Sequence, residues 1–206
     1  MIRKVDEAHE QPPWSRFHTA GALTPLVCCL IVALLCVYPV FSSEADPVRV
    51  FEVRIDDQGL AQVHAVVELP ARSDTVFAVL TDYARWPSLF SEGLTIASIR
   101  DDQDGVITDM YLPRILMPGT LHLVIRTRAP TRDRIEAELI TGDLNRFWRL
   151  WHLTPLDGGR QTRANLQMTV QPKGWAPKWL VRYGIERELT DHFERLRTAV
   201  QARERQ

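Results

Sequence analysis

The chain has 206 residues, 45% of them hydrophobic and 25% charged, with a formal net charge of -1. That length suits one well-cored domain plus an export segment, and the composition is that of a folded protein. Setting aside residues 1–45, acidic and basic side chains balance, and a neutral body lacks the long-range field that draws proteins to nucleic acid.

The first element is apolar. No Asp, Glu, Lys or Arg occurs from Phe17 to Ser43, and Leu26–Val37 is an unbroken run of twelve apolar residues. Arg3, Lys4 and Arg16 precede it, Pro39 interrupts it, and Ser43-Glu44-Ala45 offers small residues at a possible cut before Asp46. That order is the order of a secretory signal peptide. The rival reading is an uncleaved anchor, because Ala20–Phe41 is 22 residues long, enough to cross about 30 Å of hydrocarbon. Both readings export the body, into the periplasm or another extracytoplasmic space. All three cysteines (Cys28, Cys29, Cys36) lie in this segment, so the body has no disulfide, thiolate nucleophile or cysteine metal ligand.

Strands follow. Val48–Ile55 and Leu60–Leu69 are rich in Val and Ile, with a turn at Asp56-Asp57-Gln58-Gly59. Pro70-Ala71-Arg72-Ser73 ends the second strand, and Ser73 is the expected N-cap of a short helix whose buried side is Val76, Phe77, Val79 and Leu80. A second short helical piece is expected at Tyr83–Phe90, where Pro87 suits an early turn. Six strands then alternate with turn-rich segments: Leu94–Arg100, Val106–Leu112, Thr120–Arg128, Arg134–Thr141, Phe147–Thr154 and Thr162–Val170. Gly142–Arg146 is read as one of the connections. The chain closes with a long helix, about 177–203, whose stripe Val181, Ile185, Leu189, Phe193, Leu196, Val200 must be buried against the sheet.

The stretch Ser73–Phe90, reading SDTVFAVLTDYARWPSLF, resembles the first-helix block of the START-like (SRPBCC, helix-grip) superfamily, nearest its polyketide cyclase/dehydrase and coenzyme Q-binding branch. With the order of elements, the resemblance extends over about 46–202. It implies an α+β helix-grip fold: a curved antiparallel sheet wrapped around a long C-terminal helix, enclosing a cavity for a hydrophobic small molecule. The domain is accordingly placed at 46–206. After the corner, Ser91-Glu92-Gly93 departs from the coenzyme Q-binding pattern, which puts quinone specificity in doubt.

Physically, Val76, Phe77 and Leu80 anchor the first helix, Asp82 is placed to cap freed backbone groups at the bend beside Tyr83, and Trp86, Pro87 and Phe90 form an aromatic corner at a cavity mouth. The expected ligand-contacting set is Phe77, Tyr83, Trp86, Phe90, Tyr111, Leu121, Leu123, Ile125, Phe147, Trp151, Leu166, Met168, Val181 and Ile185, with Leu139 a further wall candidate. Each is equally explained as core. Two apolar loops, Tyr111–Gly119 and Trp175–Leu180, are read as a gate that touches the bilayer during loading.

Catalytic patterns are absent from the sequence: there is no Gly-x-Ser-x-Gly, no His-Glu-x-x-His and no phosphate-binding glycine loop. The six histidines show no metal-ligand spacing. His152 is a ligand hydrogen-bond donor if strand register turns it inward, with Asp109 and Tyr111 as companions; Arg126 would join them, but alternation puts it outward with His122. Neither cofactor, metal nor nucleic acid is expected as a partner; a hydrophobic small molecule or lipid, and a membrane surface, are. The reading is therefore a binding or transfer module. The alternatives are a cyclase or aromatase-type enzyme, or a membrane-tethered interaction protein with a filled core.

Overall fold

The computed structural model describes residues 48–90, 93–114 and 118–206. The apolar N-terminal segment, Ser91-Glu92 and Ile115–Met117 therefore lie outside the described residues. Eight strands form one antiparallel sheet: β1 (Val48–Ile55), β2 (Ala61–Leu69), β3 (Thr95–Asp102), β4 (Gly105–Pro113), β5 (Thr120–Thr131), β6 (Arg134–Gly142), β7 (Leu144–Leu156) and β8 (Gln161–Pro172). Their order in space is β1-β2-β8-β7-β6-β5-β4-β3. Helix α1 (Ser73–Leu80) and a 3-10 turn (Tyr83–Ser88) come between β2 and β3, and helix α2 (Lys178–Glu204) ends the chain. This is the expected α+β helix-grip architecture.

The turn between β1 and β2 forms because Asp56 Oδ1 accepts from the backbone N–H groups of Gln58 and Leu60, each at 2.9 Å, and Gly59 takes φ 76°. Strict alternation then buries Ala61, Val63, Ala65, Val67 and Leu69 on one face of β2. Helix α1 starts one residue earlier than its sequence suggests. Arg72, extended at φ -66°, ψ 151°, is the N-cap, and no side chain caps the helix; the Arg72 carbonyl already accepts from Val76 N–H at 3.0 Å. Nor does Asp82 cap the 3-10 turn. Its carboxylate instead sits 3.6 Å from both Arg85 and Arg203, where two cations outcompete a backbone amide.

The β6–β7 connection also differs. Both strands run through the expected loop, and Asp143 alone separates them. Their mutual pairing stops at Glu138–Trp148. Beyond that point Leu139–Gly142 pairs with β5, while β7 from Leu144 to Phe147 pairs with β8. The sheet therefore splits open between β6 and β7. Gly142 makes the split possible: its φ is 141°, and a Cβ there would stand 2.4 Å from the His122 carbonyl oxygen.

Helix α2 buries Leu189, near its middle, and His192, Phe193, Leu196 and Val200 in its C-terminal half. That half packs with β1, β2 and α1, where Phe193 meets Phe51 edge-on at 5.9 Å and Trp151 at 6.2 Å. Ahead of Leu189 the helix has no fully buried residue, and Ile185 packs partly buried against the core.

Candidate ligand-binding cavity

A cavity of ≈ 490 Å³ lies between the N-terminal half of α2 and the concave face of the sheet, within the range of about 300–1,000 Å³ usual for small-molecule sites. Its walls follow from strand alternation. β5 contributes Leu121, Leu123 and Ile125, β7 contributes Phe147 and Trp151, and β8 contributes Leu166 and Met168. Trp86 and Phe90 close one side, and Val181 and Ile185 of α2 the other. Trp86 is fixed by its indole N–H, which donates to the Leu80 carbonyl at 3.1 Å. Trp175, Ala176 and Leu180 stand at the helix entrance; Trp175 is 89% and Trp179 65% exposed.

Three of the residues read as ligand-contacting, and the wall candidate Leu139, stand outside this lining. Tyr111 points to the outer face, because β4 alternation turns Met110 and Leu112 inward; its ring stacks on His122 at 4.7 Å. Phe77 and Leu139 pack partly buried against the core. Tyr83 stands behind the corner, edge-on to Trp86 at 5.1 Å; burial raises its phenol pKa, and the nearby Arg149 lowers it less. The expected polar companions also face away. His152 follows the inward Trp151, so it turns outward, 3.4 Å from Asp133. Asp109 is bound to His122 at 2.9 Å, and Arg126 to Asp102 at 2.7 Å, on the outer face.

Besides Arg114, Asp143, Lys173 and Glu188, the lining includes two polar residues on inward faces, Arg149 and His192, neither of them singled out from the sequence. Arg149 lies between Phe147 and Trp151 on the inward face of β7, its guanidinium 5.2 Å from the centre of the Trp86 ring. Burial brings its pKa down to about 10, against a smaller opposing effect of Tyr83; it remains a cation at neutral pH. His192 is 2% exposed and stacks on Phe90 at 4.5 Å. Its Nδ1 lies 2.8 Å from the Leu89 carbonyl oxygen. A carbonyl only accepts, so Nδ1 carries the proton and Nε2 the lone pair. Burial lowers the imidazole pKa to about 4, with Arg149 adding to the effect and the Leu89 bond opposing it. Three sealed nitrogens lack a hydrogen-bond partner: Arg149 Nε, Trp151 Nε1 and His192 Nε2. Among the described residues no group of His, Cys, Asp and Glu is arranged to hold a metal ion.

A curved sheet gripping a terminal helix around an apolar chamber defines a START-like protein of the SRPBCC class. The model of the family described as polyketide cyclase / dehydrase and lipid transport matches residues 69–197, and the chain belongs to that family. Among solved structures, it is similar to the Zhui aromatase/cyclase from Streptomyces sp. R1128, with a TM-score of 0.57 at 15% identity over 70% of this chain and 95% of that one. It is also similar to a START superfamily protein from Mycobacterium smegmatis, with a TM-score of 0.53 at 18% identity over 68% and 97% of the two chains. At such identities the likeness is one of fold. No protein of curated function matches the sequence significantly.

Proposed function

We propose that this chain carries a hydrophobic small molecule (lipid-, quinone- or polyketide-like) in an exported domain spanning 46–206, loading it at a membrane surface. The observation that carries the reading is the ≈ 490 Å³ chamber, walled mainly by Leu, Ile, Phe, Trp and Met side chains. Transfer of apolar ligand area into it at roughly 25 cal/mol per Å² supplies a driving force without covalent chemistry. Export rests on the basic, apolar, small-residue order of residues 1–45. Membrane loading rests on Trp175 and Trp179, whose exposed indoles stand beside Lys178 at the helix entrance.

The similarity to an aromatase/cyclase favours a second reading, in which the cavity folds and dehydrates a polyketide. Acid–base chemistry there would fall to His192, the cavity imidazole. With a pKa of about 4 it is a weak base at neutral pH, far from the matched value that proton transfer favours, and this supports carriage over catalysis. Organic extraction and native mass spectrometry of the purified chain separate the two. A carrier yields a co-purifying apolar compound in a substantial fraction of molecules. An empty protein that converts a poly-β-ketone, and loses that activity in His192→Asn, would establish the enzyme instead.

A further inference from the structure

We propose that the cavity selects an amphiphile with a carboxylate end, seated with its head against Arg149 and its apolar tail toward Trp175. The inference rests on the carrier reading and names the ligand's chemistry. Arg149 is a cation on the floor of an apolar chamber, and no carboxylate among the described residues pairs with it. Tyr83 is the one titratable group whose charge it feels appreciably. The other charged residues of the lining have interactions of their own: Arg114 and Asp143 are 3.9 Å apart, Lys173 Nζ donates to the Gly142 carbonyl at 2.6 Å, and Glu188 is engaged as well.

A desolvated charge without a counter-ion is costly. Arg149 lines the cavity and is only partly buried, so its guanidinium faces an occupant even though its Nε is sealed. A carboxylate is the simplest group to answer that cation: it brings one negative charge and two acceptor oxygens for the guanidinium fork. A neutral hydrocarbon or ester leaves the Arg149 charge uncompensated.

The test compares dodecanoate, methyl dodecanoate and dodecanol, which share a tail and differ in the head, by displacement of an apolar fluorescent probe from the purified chain. The native protein is expected to bind dodecanoate about tenfold or more tighter than the ester or the alcohol. Arg149→Met levels the three affinities, and Arg149→Lys, which keeps the charge without the planar fork, retains a preference for the acid. Equal affinities in the native protein, or an acid preference that survives Arg149→Met, overturn the assignment while leaving the carrier reading intact. Displacement by none of the three overturns both.

Discussion

His192 shows what one side chain contributes to this fold. It is buried, neutral and bonded to the Leu89 carbonyl, and its pKa falls from 6.5 to about 4 on burial. The unfolded chain thus binds more protons than the folded one between those values, so stability is lost as pH falls from about 6.5 toward 4. The full effect is about 3 kcal/mol. His192→Asn keeps a donor toward Leu89 but does not titrate. Urea unfolding at pH 7 and near pH 4 is expected to show a smaller acid loss for the variant by about that amount, since carboxylate contributions are common to both proteins. Equal losses would remove His192 from the acid response. Both polar cavity residues left a trace in the sequence. Arg149 has the parity of Phe147 and Trp151, and His192 lies three residues after Leu189 on the buried stripe. Periodicity therefore turned them inward, while their charge argued for solvent; the apolar chamber reconciles the two.

Among the elements, strands were the most legible. β1 was read with its observed ends and the inward faces of β5 and β8 with the observed parity, because Val, Ile and Leu alternate with polar residues there. Ends set by competition were not. Ser73 and Asp82 are good capping types, yet tertiary contacts placed Arg72 at the N-cap and drew Asp82 to Arg85 and Arg203. The β6–β7 split was hidden because Gly142 reads as a turn residue whether strands part or join. Gly142→Ala is expected to cost about 2–3 kcal/mol in chemical denaturation, from positive φ and contact with the His122 carbonyl oxygen. Gly119→Ala, at φ 99° with open space around the added methyl, is expected to cost less. A Gly142→Ala protein as stable as native would mean that the split is not held by that glycine.

For the whole molecule, periodicity revealed the grip, while the void was expected only through the family resemblance. A residue that lines a cavity and one that fills a core present the same apolar pattern, so Phe77, Leu139 and Phe147 were indistinguishable until the helix was placed. What distinguishes them is that α2 is fully buried only from Leu189 onward. On the proposed loading at a membrane, near-neutral charge, -1 overall, makes apolar insertion the expected route. Uptake of a fluorescent apolar probe from vesicles is expected to slow about tenfold in a Trp175→Ser, Trp179→Ser double variant. It should change little between about 0.1 and 0.5 M salt. A native rate in the double variant would place the entrance elsewhere. The uneven anchoring of α2 has a mechanical consequence. The helix is rooted through Phe193, Leu196 and Val200, whereas its first turns are held by a partly buried Ile185 and an exposed Lys178–Asp57 pair at 2.7 Å. On the carrier reading proposed above, those turns are expected to give way before the root does, so that admitting a guest does not require melting the protein.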